Sequence, residues 1–147
     1  VALAVCWDRH DPSILRGYAR NGAQLMLIPA DDDFGGDGRF PYFAASDAVF
    51  RAAENRLAIG SGSTSGIAQV ITPYGEMTAM SDVNERQAIA GTTFVTEGKT
   101  FYTRYGDVFA YALSACFAVL LIVSERNKKK PNRAASERIQ HVLDDAP

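Results

Sequence analysis

Cys6 is the residue of this sequence with the clearest capacity for chemistry. It follows the short apolar run Leu3–Val5 and is followed at once by polar residues that favour the start of a helix. A thiolate is a strong nucleophile, and a sharp turn from strand to helix exposes a thiol and aims backbone N–H groups at an oxyanion. From these residues alone two roles stay open, because a cysteine after an apolar strand is more often a small core residue.

His10 is a possible base for this thiol, as in papain-like proteases. It lies only four residues after Cys6, however, whereas those proteases separate the two partners widely in sequence. We therefore predict that His10 is a solvated loop histidine.

The acidic stretch Asp31–Asp33 invites a calcium interpretation. Counting Asp31 as position one, glycine falls correctly at position six, but position twelve is Tyr42 where a calcium loop needs glutamate. The turn Ser61–Gly66 likewise lacks the Gly-Lys-Ser/Thr ending of a phosphate loop. The sequence therefore predicts no metal site and no cofactor.

Composition narrows the class of protein further. The 147 residues carry a formal net charge of −2, which gives no reason to expect nucleic-acid binding, and the two cysteines cannot form a disulfide framework. The chain starts with Val1, within an apolar run, and we expect it to be the C-terminal piece of a longer protein.

Apolar periodicity and turn residues predict alternating strands and helices before residue 100. The predicted helices are Ile14–Asn21, capped by Ser13, and Ala44–Asn55. The predicted strands are Val1–Val5, buried on both faces, then Leu25–Ile28, Leu57–Gly60, Ile67–Ile71, Met77–Met80 and the strand-like Gln87–Val95. This order predicts the α/β fold class, here an α+β sandwich with a parallel or mixed sheet.

The segment Val108–Ser124 contains seventeen residues without a charge. As a helix it would be about 26 Å long, close to the hydrocarbon thickness of a bilayer. Because Lys128 and its neighbours follow, the positive-inside rule predicts a cytoplasmic C-terminus and places residues 1–107 on the far side. A buried helix of a soluble core is the alternative, and Ala134–Leu143 is a predicted short helix of the tail.

Six short motifs together resemble the nitrilase (carbon–nitrogen hydrolase) superfamily, and most closely its membrane-bound apolipoprotein N-acyltransferases. In chain order they are Val5-Cys6-Trp7-Asp8, Gly22-Ala23-Gln24-Leu25-Met26-Leu27, Phe50–Arg56, Ser65-Gly66-Ile67, Pro73-Tyr74-Gly75 and Thr103–Asp107. Each motif is weak by itself, and the resemblance depends on their common order and spacing over about Val1 to Ser124. It implies three regions: 1–107, the C-terminal part of a carbon–nitrogen hydrolase domain; 108–124, a transmembrane helix; and 125–147, a cytoplasmic tail.

The resemblance also implies an αββα sandwich and a Glu–Lys–Cys triad. Cys6 would be the nucleophile, the backbone N–H of Trp7 would help to hold the oxyanion, and Asp8 would orient the site. Asp33, Phe34 and Ser65 would bind substrate, with the loop of Phe34 lining an acyl pocket. The glutamate and the lysine would precede Val1, so the 147 residues alone are expected to be inactive.

The implied reaction moves an acyl chain from a phospholipid to Cys6, and then to the N-terminal amine of a lipoprotein. The implied location is a bacterial inner membrane, with the catalytic domain on the periplasmic side. Two alternatives stay open: a membrane-tethered amidase or nitrilase that uses the same cysteine, and a non-enzymatic remnant with an idle thiol.

Overall fold

The computed structural model describes residues 1–33 and 38–144. The chain forms two compact units, of which the first is Val1–Gly106 and the second begins at Asp107. The predicted Phe34 loop lies outside the described residues.

A five-stranded mixed sheet is the centre of the first unit in its described part. Its strands are β1 (Ala2–Leu3), β2 (Leu25–Ala30), β3 (Ala58–Ser63), β4 (Gln69–Ile71) and β5 (Met77–Met80), which lie in that order. β1, β2 and β3 are parallel, whereas β4 and β5 continue the sheet antiparallel. The register pairs Ala30 with Ser63, so the residues that follow β2 and β3 emerge side by side.

Helix α1 (Pro12–Arg20) connects β1 to β2 and starts earlier than predicted. Its cap is Asp11, whose carboxylate accepts a hydrogen bond of 2.8 Å from the backbone N–H of Ser13. Pro12 suits the first helical position because its missing N–H would have no partner there. The predicted Ser13 cap is therefore wrong.

Helix α2 (Phe40–Asn55) also begins four residues before the predicted start. Pro41 lies in its first turn, where proline is tolerated, and Arg56 ends the helix in the left-handed region at φ 57°. The extra turn matters for the site below because it carries Phe40 and Phe43.

The core lies between one face of the sheet and helices α1 and α2. It consists of Ala4, Leu15, Ala19, Met26, Ile28, Ala48, Ala52, Leu57, Ile59 and Ile71. Each large side chain buried there contributes roughly 1.5–3 kcal/mol. In the described residues the opposite face is open at β1 and β2, where Leu3 is 55% and Leu27 is 43% exposed. The prediction that the first strand is buried on both faces is therefore wrong for this chain, which contains one sheet and one helical layer of the four-layer sandwich.

Residues 87–95 were predicted to be strand-like, but they do not add a strand to the sheet. A Cβ at Gly91 would lie 2.9 Å from side-chain atoms of Val70, Thr78 and Ala79, so the segment crosses the face of the β4–β5 pair instead of extending its edge. The Thr93 hydroxyl donates a hydrogen bond of 3.1 Å to the Ile71 carbonyl and fastens it there.

Helix α3 (Phe101–Tyr105) closes the first unit, and helix α4 (Val108–Asp144) forms the second. α4 is continuous over 37 residues, so the predicted separate helix Ala134–Leu143 is wrong. Within its part Val108–Lys128, a window of 18 residues has a mean hydropathy of 2.1, and none of that window is buried. The 21 residues of that part form a helix about 31 Å long, so this segment is long and apolar enough to cross a membrane.

Candidate active site

The candidate site lies at the carboxyl edge of the three parallel strands. Cys6 follows β1, Asp31–Asp33 follow β2, and Ser63–Gly66 end and follow β3. Because parallel strands end at the same edge of a sheet, these segments meet although they are up to 60 residues apart in sequence.

Cys6 opens a 3-10 helix, Cys6–His10, in a left-handed conformation with φ 51°. Asp8 closes this turn: its carboxylate accepts a hydrogen bond of 2.9 Å from the Val5 N–H, and its own N–H donates at 3.0 Å to the Val5 carbonyl. A left-handed non-glycine residue costs of order 1–3 kcal/mol and is characteristic of active-site turns. The geometry thus presents a partly exposed thiol at the strand end, as predicted.

Three exposed or partly exposed residues form a row, which we call the outer row: Cys6, Asp31 and Ser65. The Cys6 thiol donates to the Asp31 carbonyl with an Sγ–O distance of 3.6 Å. The Asp31 carboxylate accepts hydrogen bonds from the Ser65 hydroxyl and, at 3.4 Å, from the Asp33 N–H. The hydrogen bond from Ser65 is the main reason why the pKa of Asp31 lies below its ordinary value.

A second row lies beside it, which we call the inner row: the buried Arg9 and Asp32 and the partly buried Ser63. Arg9 and Asp32 form an ion pair whose side chains are 1% and 2% exposed. The other Asp32 oxygen accepts a hydrogen bond of 3.0 Å from the Ser63 hydroxyl, which itself accepts one of 2.9 Å from the Gly66 N–H. Burial lowers the pKa of Arg9 below its ordinary value, whereas the neighbouring Cys6 and Asp47 act in the opposite direction.

An aromatic cluster borders Cys6 on the side of α2. The Trp7 ring centroid is 4.5 Å from that of His10 and 6.2 Å from that of Phe40, and Phe43 stacks on His10 at 5.6 Å. His10 Nδ1 lies 2.6 Å from a carboxylate oxygen of Asp47. The prediction of a solvated loop histidine is therefore wrong, and His10 pairs with α2.

The structure brings together four of the six predicted site residues at one edge of the sheet: Cys6, Asp8, Asp33 and Ser65. The side chain of the fifth, Trp7, is 57% exposed and faces the aromatic cluster. Phe34 lies outside the described residues. Within residues 1–33 and 38–144, no three His, Cys, Asp or Glu side chains are close enough together to hold a metal ion.

The Arg9–Asp32 pair was not predicted from the sequence. An arginine three residues after the candidate nucleophile and an acid after the next strand were the available signals. Only the parallel register brings the carboxyl ends of β1 and β2 together, and Asp32 is 23 residues from Arg9.

Comparisons with known proteins identify relatives along most of the chain. It is 34% identical over 128 residues to the apolipoprotein N-acyltransferase of Geobacter metallireducens, which covers 87% of this chain and 25% of that protein. It is 28% identical over 144 residues to the apolipoprotein N-acyltransferase of Thermotoga maritima, which covers 95% of this chain and 27% of that protein. The chain thus spans about a quarter of the length of these curated relatives. No family model matches it.

Solved structures resemble part of the chain. The carbon–nitrogen hydrolase of Helicobacter pylori G27 has a TM-score of 0.52 at 20% identity, and covers 57% of this chain and 36% of that one. An amidase of the nitrilase superfamily from Nesterenkonia AN1 has a TM-score of 0.47 at 26% identity, over 55% of this chain and 33% of that one. The first of these likenesses confirms the predicted fold, and the relatives confirm the predicted resemblance.

Proposed function

We propose that this chain, a homologue of apolipoprotein N-acyltransferases with a nitrilase-superfamily fold, carries the nucleophile and the membrane anchor of a full-length enzyme of that activity. The enzyme would move an acyl chain from a phospholipid to the N-terminal amine of a lipoprotein. The similarity to the Geobacter and Thermotoga proteins, along almost the whole chain, is the observation that carries this proposal.

Cys6 is the proposed nucleophile because the turn around it suits that task. Its left-handed backbone and the Asp8 hydrogen bonds hold the thiol at the end of a strand, at the edge where α/β folds bind ligands. In the first step a base takes the thiol proton, the sulfur attacks the ester carbonyl, and a C–S bond forms. The Trp7 N–H, which follows Cys6 in the turn, would donate to the oxyanion.

Collapse of this intermediate breaks the ester C–O bond, and the lysophospholipid oxygen leaves with a proton from the general acid. In the second step the lipoprotein amine attacks the thioester carbonyl. A C–N bond forms and the C–S bond breaks, while the base takes the amine proton and returns it to the Cys6 thiolate. No oxidant, reductant or metal ion enters either step, so the two-step reaction needs only a base, a cation and oxyanion donors.

The base and the cation would come from the remainder of the full-length protein. In the described part of this chain the Cys6 thiol donates to the Asp31 carbonyl, and neither a glutamate nor a lysine is hydrogen-bonded to it. The resemblance implies a glutamate and a lysine for these roles. We therefore propose that the 147 residues by themselves do not turn over.

The helical segment Val108–Lys128 would anchor the enzyme in a membrane. Its length matches a bilayer, and Lys128 lies at the end that the positive-inside rule assigns to the cytoplasm. The first unit would then face the opposite side, which in a bacterial inner membrane is the periplasm, where the amine of a lipoprotein is accessible.

The direct test is mass spectrometry of the full-length protein incubated with phospholipid. We expect an acyl adduct on Cys6 that is absent in Cys6→Ala and present in Cys116→Ala, a matched control at an exposed cysteine of α4. Addition of a lipoprotein peptide should remove the adduct and yield an acylated amine. If no adduct forms on Cys6, acyl transfer through this thiol is wrong. If water removes the adduct as fast as the peptide does, the enzyme is a hydrolase instead.

A further inference from the structure

The inner row suggests how the thiol is aimed. We propose that Arg9 and Asp32 are positioning residues that hold the Asp31 carbonyl group against the protonated Cys6 thiol, so that the sulfur is already aimed when the base removes its proton for acyl loading. This inference rests on the proposed function and adds to it two residues that do not themselves contact the reacting atoms.

The ion pair is attached to the backbone on both sides of the contact between Cys6 and Asp31. Arg9 lies three residues after Cys6, which is one turn of the 3-10 helix, and Asp32 directly follows Asp31. The pair therefore joins the two backbone segments whose approach creates the contact of 3.6 Å between Cys6 Sγ and the Asp31 carbonyl.

Asp32 is also attached to a third segment of the chain. Its second carboxylate oxygen accepts the Ser63 hydroxyl at the end of β3. At Gly66 a side chain would collide with Asp32 and with Ser63, so a glycine there lets the loop close over the carboxylate. Asp32 is thus held from two sides. Because Asp31 is bonded to it directly, the position of the Asp31 backbone is restricted as well.

The contribution of the ion pair to the free energy of unfolding also favours a geometric role. A buried ion pair is weak support for stability, because an apolar pair of similar volume is often at least as stable. Here the pair is also incompletely satisfied: Arg9 Nε is buried without a hydrogen-bond partner in the described residues. Two charged side chains that are at most 2% exposed are an unfavourable way to fill this space. A geometric role in aiming the thiol accounts for them better.

The consequence for chemistry follows from the reach of the thiol. Cys6 sits at the start of its turn, and its Sγ can rotate away unless an acceptor holds it. A displacement of about 1 Å from a productive geometry can reduce a rate by roughly 100-fold. Without the pair, the Asp31 carbonyl would move relative to Sγ, and attack on the ester would slow without a matching loss of phospholipid affinity.

The test uses the full-length protein and four variants. Arg9→Met and Asp32→Asn each leave one buried charge without its partner, whereas the double variant removes both charges and Arg9→Lys keeps the charge. The control is the double variant Arg51→Met/Glu54→Gln, which neutralises an ion pair of 3.2 Å within α2. For each protein we would measure the single-turnover rate of acyl loading on Cys6, the KM for phospholipid and the thermal midpoint.

We expect both single variants to load acyl chains roughly 10-fold to 100-fold more slowly and to unfold at lower temperature. The double variant should recover the thermal midpoint but not the loading rate, and KM should change by less than about threefold. Arg9→Lys should retain part of the rate, and the α2 control should load at the wild-type rate. A double variant that recovers both the midpoint and the rate would show that the pair only stabilises the fold, and would overturn the inference.

A second measurement separates this inference from the proposed function. Alkylation of Cys6 by iodoacetamide requires no acyl chemistry, and we expect at least a threefold faster reaction in the double variant because the carbonyl no longer holds the thiol. If the wild-type protein forms no acyl adduct, the proposed function fails while alkylation still tests the positioning. Equal alkylation rates in the wild-type protein and the double variant would refute the positioning role whether or not acyl transfer occurs.

Discussion

Replacement of Gly66 by alanine is the sharpest perturbation of the site that leaves every polar side chain in place. A Cβ at this position would overlap the Asp32 carboxylate and lie 2.7 Å from both Asp32 Cβ and Ser63 Oγ. Carbon atoms in contact normally lie about 3.5–4.0 Å apart. Since Arg9 and Ser63 already hold Asp32, neither neighbour can yield without loss of a hydrogen bond or of the ion pair.

The size of the effect follows from which contact yields. If Asp32 shifts with Arg9 still attached, the cost is that of overpacking, about 1–3 kcal/mol. If the ion pair separates, an uncompensated buried charge costs about 3–5 kcal/mol. For a domain of about 150–250 residues 1 kcal/mol lowers the thermal midpoint by about 2–4 °C, so Gly66→Ala should lower that of the full-length protein by at least about 2 °C. Acyl loading on Cys6 should slow in parallel.

The assay is circular dichroism of the purified full-length protein during heating, with acyl loading measured on the same samples. Gly62→Ala is the matched control, because a Cβ at Gly62 has nothing within 4 Å. We expect Gly62→Ala to unfold within about 1 °C of the wild-type protein, as is typical of substitutions without contacts. If Gly66→Ala unfolds and loads acyl chains like Gly62→Ala, our account of the packing around Asp32 is wrong.

Three further predictions test other parts of the chain. Gly17→Ala within α1 should stabilise the first unit by roughly 0.5–1 kcal/mol in chemical denaturation, because alanine favours the helix and nothing lies within 4 Å of the added carbon; a loss of stability would contradict it. The Ser65–Asp31 contact should stabilise the fold above pH about 4, and this stabilisation should be lost as the pH falls through the lowered pKa of Asp31. NMR titration of Ser65→Ala should find the pKa of Asp31 nearer its ordinary value. An unchanged pKa would refute the contact. Leu120→Arg should weaken membrane insertion by roughly 2.5–3.5 kcal/mol in membrane fractionation relative to Leu120→Ala, and equal insertion would argue against a membrane span.

Periodicity in the sequence predicted most of the elements because their apolar faces are local. The strand Met77–Met80 was predicted with its observed bounds. Helix α3 was not predicted and α4 continues to Asp144, whereas α1 and α2 were found with errors mainly at their first residues. These errors have a chemical cause: proline in a first turn resembles a loop signal, although Pro12 and Pro41 each suit the start of a helix. Residues 87–95 were wrongly predicted as a strand because an extended segment can cross the face of a sheet without joining its edge.

The position of Cys6 at the end of a strand could also be predicted, because it depends on adjacent residues. The surroundings of the thiol could not be, since each contact joins different strands. The hydrogen bond from Cys6 to Asp31 spans 25 residues, and that from Ser65 to Asp31 spans 34. His10 illustrates the same limit: its partner Asp47 lies 37 residues away on α2, so no local pattern distinguished it from a solvated histidine.

Asp31 and Asp32 show why composition alone misleads at this edge of the sheet. They are adjacent and chemically identical, yet Asp31 is exposed whereas Asp32 is 3% exposed. A cation site would need their carboxylates to converge, but each already has its own protein partners, Ser65 for the first and Arg9 with Ser63 for the second. The acidic run is therefore better explained as a junction between the two rows. The Asp31 backbone contacts the thiol, and the neighbouring Asp32 side chain fixes where that backbone lies.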